Sequence, residues 1–363
     1  MTDIAIFLMD LRGGGAERVM LNLTNGFTEK GLTVDLVLVQ TVGAYLSQVP
    51  SNVRIVDLKG QRLLTSLPTL VKYLRQEQPK VLMSALEDTN MVAILAKHLS
   101  GVAVQVVVTV HNHLSAEIHN ATQWKRRFVP HLIRWFYPRA DAVVGVSHGV
   151  VQDLQRFGSP STKTYTIYNP IVTTELLNKI QEPLDHAWFK PDQPPVILAV
   201  GRLDRQKDFI TLIKSFAQVR QQQPARLIIL GEGAERSNLE ALIAQFGLLD
   251  DVSLPGFVSN PYAYMAHARL LVLSSAWEGF GNVLVEAMAA GTPVVSTDCE
   301  SGPSEILENG QYGKLVKVGD VAGMTEAIIN TLHEQTKIQV LQQRANEFSL
   351  EVALLKYQQL LNI

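Results

Sequence analysis

Residues Leu270–Ser296 read LLVLSSAWEGFGNVLVEAMAAGTPVVS. Leu270–Leu273 is apolar on successive positions, as expected of a strand covered on both faces. The residues from Ser274 onward include Gly279 and Gly281 and read as a loop. Asn282 suits a helix cap, and Asn282–Ala290 reads as the helix it starts. Gly291 and Thr292 then lead into a second strand, Pro293–Ser296. Strand, loop, helix and strand in succession form the repeating unit of a parallel sheet with helices packed on it.

The same alternation runs outward from this stretch. In the second half, strands are expected at Val196–Val200, Arg226–Leu230 and Val252–Leu254, with helices at Asp208–Gln222, Glu235–Phe246 and Val321–His333. In the first half the strands are Ile4–Met9, Thr33–Val39, Val53–Asp57, Val81–Ser84, Val104–Val110 and Ala142–Val146. Helical periodicity marks Ala16–Lys30 and Leu64–Gln76 between them. The pattern weakens from Asn169 to Pro195, where Pro170, Pro183, Pro191, Pro194 and Pro195 fall among polar residues. The expected fold class is α/β, with two tandem Rossmann-like, doubly wound parallel-sheet domains and an active-site cleft between them. Residues 1–170 make the first domain, 171–195 a linker and 196–349 the second. Glu351–Leu361 reads as a last amphipathic helix, and 350–363 is expected to pack back on the first domain.

Composition narrows the class of protein. The chain has 363 residues, 47% hydrophobic and 18% charged, a globular balance. A net charge of −2 gives no overall bias toward nucleic acid, so basic character must be local. The single cysteine, Cys299, cannot close an internal disulfide and fits a reducing compartment. No cluster has metal-ligand spacing, and no Asp-x-Asp motif stands out, so neither a metal nor any other cofactor is expected. Ile4–Met9 is too short for the apolar core of a secretion signal and lacks a basic flank. No apolar stretch approaches the roughly 20 residues needed to span a bilayer. The expectation is a cytoplasmic protein, at most peripheral on the inner face of the cell membrane.

Doubly wound sheets bind ligands beyond the carboxyl ends of their strands, which directs attention to the residues that follow each strand. Gly13-Gly14-Gly15, after the first strand, can bring backbone N–H groups close to an anion at a helix start. A dinucleotide fingerprint would need a third glycine at Arg18, so this loop is a different one; a plain tight turn is the alternative. Arg202 and Lys207, after Val196–Val200, can hold a diphosphate from two sides and stabilise the charge that grows on it as a bond to it breaks. A solvated charged loop is the alternative. Glu278 and Glu286 suit vicinal diols, one on a ribose and one on a transferred sugar, because a carboxylate accepts two hydrogen bonds. The bland alternative makes them a loop charge and a surface helix residue.

Taken with its flanks, this last segment resembles the Glu-x7-Glu signature of the retaining GT-B glycosyltransferases of family GT4, with Glu278 and Glu286 as the two glutamates. Asp298–Ile306 resembles the branch of that family found in bacterial polysaccharide and glycan assembly. Gly201-Arg202 with Lys207 matches its arginine–lysine pair, and Gly13–Arg18 its N-terminal loop. The resemblance spans nearly the whole chain, in order. It implies that Arg202 and Lys207 bind the donor diphosphate and that Glu286 holds the nucleotide ribose. Glu278 would contact the donor sugar and position its anomeric carbon. The backbone of Phe280, Gly281 and Asn282 would contact the sugar, and that of Val283 and Leu284 the phosphate side. Gly13, Gly14 and Gly15 would approach the diphosphate, and Gly256, Phe257 and Val258 would lie near the base.

His111, after Val104–Val110, is the remaining catalytic candidate, since the family often has a histidine there. It could donate to a sugar hydroxyl or steady charge at the reacting carbon. His113 competes for that role, and a strand-capping histidine is the plain alternative. The segment 124–139 interleaves Lys125, Arg126, Arg127, Arg134 and Arg139 with Trp124, Phe128, Trp135, Phe136 and Tyr137, which suits an anionic lipid surface. A helix with its aromatics packed inward is the competing reading. The expected activity is metal-independent transfer of a hexose or N-acetylhexosamine, from a nucleotide diphosphate sugar (a UDP-sugar favoured by resemblance) to a saccharide or lipid-linked acceptor. The alternatives are a nucleotide-sugar epimerase of the same architecture, which would need no acceptor, and a non-catalytic sugar-nucleotide-binding protein.

Overall fold

A computed structural model of the chain describes residues 2–120, 129–335 and 337–363. They divide into two compact units. One runs up to Pro170 and takes in Leu350–Ile363; the other is Ile171–Ser349.

Among the described residues, the first unit holds a seven-stranded parallel sheet. Its strands are β1 (Ile4–Leu8), β2 (Val34–Leu38), β3 (Arg54–Asp57), β4 (Val81–Ala85), β5 (Gln105–Val110), β6 (Ala142–Gly145) and β7 (Thr164–Thr166), in the order β3-β2-β1-β4-β5-β6-β7. β1, β2 and β4 are buried along their whole length, so their Ile, Val and Leu side chains are covered on both faces. The C-terminal helix Leu350–Leu361 belongs to this unit. Tyr357 packs edge-on against Phe27 with ring centres 6.2 Å apart. The absent side chain of Gly26 leaves room for Leu350 and Leu354.

The second unit holds β8 (Val196–Val200), β9 (Arg226–Leu230), β10 (Val252–Gly256), β11 (Leu270–Leu273), β12 (Val294–Thr297) and β13 (Lys314–Val316), a six-stranded parallel sheet in the order β10-β9-β8-β11-β12-β13. Alternate residues of its central strands, among them Ile197, Ala199, Leu270 and Val272, form one core with Phe209, Leu212 and Phe216 of the helix Phe209–Gln222. Met324 and Ile328 of the helix Val321–His333 complete it. Each of the larger side chains among them contributes roughly 1.5–3 kcal/mol by leaving water.

Residues 171–195, expected as a linker, fall inside the second unit. They contain the helix Thr174–Ile180, capped by the Thr173 hydroxyl, which accepts from the Leu176 N–H. Asn260, which caps the helix Pro261–His267, donates to the Lys179 carbonyl at 3.0 Å and ties the segment down. The strand order reverses between β1 and β4 in one sheet and between β8 and β11 in the other. Such reversals open a crevice at the carboxyl ends of the two strands involved.

Candidate active site

β8 and β11 pair directly, with Ile197 opposite Leu270. The loops that leave their carboxyl ends are therefore neighbours, and side-chain and backbone bonds stitch them together. The Gln206 side-chain amide donates to the Trp277 carbonyl (3.0 Å), and the Ala276 N–H donates to the Gln206 carbonyl (2.8 Å). The Ser274 hydroxyl donates to the Lys207 carbonyl (2.7 Å).

At the centre of this stitching, the Lys207 ammonium meets the Glu278 carboxylate, Nζ to Oε1 2.5 Å. Only 16% and 8% of the two side chains are exposed, so the pair is screened little by solvent. A buried charge needs a partner and further hydrogen bonds. Glu278 has both, because the Ser275 hydroxyl donates to the same Oε1 at 2.6 Å. Ser275 is held in turn: the Thr297 hydroxyl at the end of β12 donates to its carbonyl (2.5 Å). Burial, and after it the Glu278 carboxylate, pushes the nearby Cys299 thiol up, so it stays protonated at neutral pH.

Glu286 lies on the helix Asn282–Ala289, half-buried, one turn beyond its start. The cap of that helix is Gly281, not Asn282. Gly281 sits at φ +98°, a left-handed conformation that glycine takes without penalty, and Asn282 is the first helical residue. The Leu284 N–H, expected to face a phosphate, is bonded to the Gly281 carbonyl at 3.0 Å. Phe280 is buried and stacks edge-on against Phe348 with centres 5.4 Å apart. Arg202 is placed differently from Lys207. Its side chain is 75% exposed and its recorded partner is Asp204, Nε to Oδ2 3.4 Å. Gly256 ends the edge strand β10 and Phe257 and Val258 follow it, and β10 stands two strands from β8, roughly 10 Å away at normal strand spacing.

In the first unit, Gly13 sits at φ +120°, Gly14 caps the helix Gly15–Glu29, and Glu17 lies in its first turn. A side-chain carbon on Gly14 would lie 2.1 Å from Glu17 Oε2, so a carboxylate already covers this helix start. An anion approaching Gly13–Gly15 would have to displace it, which the glycine run alone does not reveal. Arg18 stacks over Tyr45 (4.0 Å) and donates to Gln48.

The structure separates the two histidines after β5. His113 is buried and caps the next helix, its Nδ1 accepting the Ala116 N–H (3.3 Å) and lying 3.7 Å from Asp153. It is a structural residue. His111 is half-buried, with its ring packed into the protein and Nε2 2.9 Å from the Thr109 hydroxyl. Burial holds its imidazole down at about 4, so it is neutral at pH 7.

Sequence reasoning missed Ser275, Gln206 and Thr297. Ser275 stands three residues before Glu278, a spacing from which a hydroxyl can reach back, but serine is too common for that to select it. Among the described residues, no group of His, Cys, Asp or Glu is arranged to hold a metal ion. A cavity of about 240 Å3 opens where β12 and β13 begin, lined by Pro293, Val294, Tyr312 and Lys314, and none of the candidate site residues lines it. Residues 124–128 of the basic–aromatic segment lie outside the described residues. Of the rest, Trp135 is 67% and Leu132 39% exposed.

Comparison with known proteins adds to this geometry. The family described as Glycosyltransferase Family 4 matches residues 13–175, and Glycosyl transferases group 1 matches residues 181–348. The chain is 31% identical, over 93% of its length and 92% of the relative's, to a Campylobacter jejuni protein. That protein is named N-acetylgalactosamine-N,N'-diacetylbacillosaminyl-diphospho-undecaprenol 4-alpha-N-acetylgalactosaminyltransferase. The chain is also 26% identical, over 96% of both chains, to the lipopolysaccharide core biosynthesis glycosyltransferase LpsE of Rhizobium meliloti. The crystal structure of HepE from Anabaena in complex with UDP-glucose superposes with a TM-score of 0.83 over all of both chains at 22% identity, the same fold.

Proposed function

The chain belongs to glycosyltransferase family 4, and we propose that it is a retaining transferase carrying a hexose or N-acetylhexosamine from a UDP-sugar to a saccharide or lipid-linked glycan during cell-surface polysaccharide or glycan assembly. The observation that carries this reading is the Lys207–Glu278 pair, fixed by Ser275 where β8 and β11 end beside the reversal in strand order. An ammonium has three donors, so the bond to Glu278 leaves two for diphosphate oxygens. As the anomeric C–O bond to the diphosphate breaks, charge grows on the departing oxygens. A cation already in place stabilises that state more than the ground state. The acceptor hydroxyl attacks from the face the diphosphate leaves. Its oxygen bonds to the anomeric carbon while its proton passes to a departing phosphate oxygen. Glu278 orients the sugar, Glu286 holds the ribose, and the exposed Arg202 side chain folds onto the diphosphate once it is bound. The named activities of the Campylobacter and Rhizobium relatives support a lipid-linked or polysaccharide acceptor.

Because Arg202 and Lys207 carry positive charge to the diphosphate, transfer is expected to continue in chelator. The test is nucleoside diphosphate release with a panel of UDP-sugars and polyprenyl-diphosphate glycans, with the product anomer read by NMR. The account expects an α-linked product from an α-linked donor. Lys207→Met and Glu278→Gln should each lower kcat/KM by roughly 10²–10³-fold, and Ser275→Ala by about tenfold, the worth of one hydrogen bond to a charged group. An inverted product would sink retention, and unchanged rates in both charge variants would sink the site.

The enzyme also meets an anionic membrane through the segment 124–139. In its described part, the exposed Leu132 and Trp135 flank Arg134, and Arg139 stacks over the Trp135 ring (4.8 Å), a grouping suited to the lipid interface. Flotation with phosphatidylglycerol vesicles should recover the wild type and lose most of Trp135→Ala. Equal recovery of both would remove this contact.

A further inference from the structure

We propose that Thr109 fixes the tautomer of His111, so that His111 meets its substrate through Nδ1 as a hydrogen-bond acceptor and never as a donor. The two residues sit two apart along β5 and its extension, on the same side of the strand. The Thr109 hydroxyl is buried and lies 2.9 Å from two partners, the Ser84 carbonyl on the paired strand β4 and His111 Nε2. A hydroxyl has one proton to give. The Ser84 oxygen can only accept. If the proton went to Nε2 instead, two oxygen lone pairs would face each other in a dry site, and a bond would be lost. With the proton on Nε2, the imidazole donates to Thr109 and Thr109 donates to Ser84, so both contacts are satisfied. The other acceptor near the hydroxyl, Met20 Sδ at 3.8 Å, is the weaker one and does not change this choice.

A neutral imidazole has a single N–H, and burial keeps His111 neutral at pH 7. With Nε2 committed, Nδ1 carries an unshared pair, and among the described residues no hydrogen bond to it is recorded. An atom of that kind takes a hydrogen from a sugar hydroxyl or an N-acetyl N–H. It cannot protonate a departing phosphate or donate to a carbonyl, the donor role considered for this histidine from the sequence. Thr109 is thus a positioning residue, and the hydrogen-bonding class of the sugar group at His111 is set from behind by a buried hydroxyl. The substrate half of this inference rests on the transferase reading proposed above and on the resemblance that implies His111 lies at the donor sugar.

The experiment is a two-bond 1H–15N correlation spectrum of the full-length enzyme with 15N-labelled histidine at pH 7, using His111→Gln to assign the signal. The expected pattern is that of a neutral ring protonated on Nε2. In Thr109→Val the two tautomers should mix, and Thr109→Ser should restore the wild-type pattern. A wild-type ring protonated on Nδ1, or an unchanged pattern in Thr109→Val, overturns the tautomer assignment. UDP-sugar is then added to saturation. Movement of the Nδ1 signal supports the substrate contact; a fixed Nδ1 signal with an Nε2–H ring overturns the placement of His111 at the donor while leaving the tautomer intact.

Discussion

His111 shows what burial does to an imidazole at a strand end. Its neutral form persists in the folded protein down to about pH 4, whereas an exposed histidine in the unfolded chain takes up a proton near pH 6.5. The unfolded state therefore binds more protons between those values, and folded-state stability falls as pH drops through that window. Between pH 7 and pH 5 the loss from this one group is about 2 kcal/mol. His111→Gln should remove it, seen as a smaller shift of the denaturant midpoint between the two pH values; an equal shift in wild type and variant would contradict the buried, neutral state. At this scale, Lys207 and Glu278 were legible because each follows an apolar strand and carries a charge that such a place does not tolerate without reason. Ser275, Gln206 and Thr297 were not. Their contribution is a hydrogen bond to a group far along the chain, and no spacing marks it. Glu17 was in view, but not its position over Gly14, which depends on how the first turn closes.

The loops after β11 and β12 form one element in practice. Gly302 sits at φ +88°, and a side-chain carbon there would lie 1.9 Å from the Phe280 carbonyl. No L-residue fits without moving the backbone that carries Phe280 and Gly281. Gly302→Ala should therefore cost about 2–4 kcal/mol, from the left-handed conformation and the overlap together, and should lower transfer well beyond that of a neutral surface change. A variant with wild-type melting and activity would show that the two loops are not coupled. The central strands were legible because parallel, doubly covered strands are continuous apolar runs. β7 and β13 were missed because Thr164-Tyr165-Thr166 and Lys314-Leu315-Val316 are short and mixed in character, as edge strands are. The prolines before Pro195 suggested a linker, yet they punctuate a short helix and its turns inside the second unit. The cap at Gly281 was misread for a related reason: Asn282 has the better capping chemistry, but only glycine takes the backbone angle the loop requires.

At the scale of the whole molecule, each unit repeats one plan, a parallel sheet whose order reverses beside its first strand. The repeated alternation of strand and helix announced that plan from either half of the sequence. What it could not announce was the strand order itself, and strand order makes the Arg202–Lys207 loop and the Glu278 loop neighbours across more than seventy positions. The central claim is that this neighbourhood, with Glu286 behind it, holds the nucleotide of a sugar donor. Thermal shift tests it most directly, with uridine, guanosine and adenosine diphosphate sugars offered to the wild type, to Glu286→Ala and to Lys314→Ala, whose side chain lines the cavity where β12 and β13 begin. At a hundredfold excess over Kd, binding adds about 2.7 kcal/mol, which is roughly 5–10 °C for a domain of this size. A uridine nucleotide should raise the melting temperature of the wild type and of Lys314→Ala by that amount and leave Glu286→Ala unmoved. An equal rise in Glu286→Ala, or no rise with any of the nucleotides, would contradict the site described here.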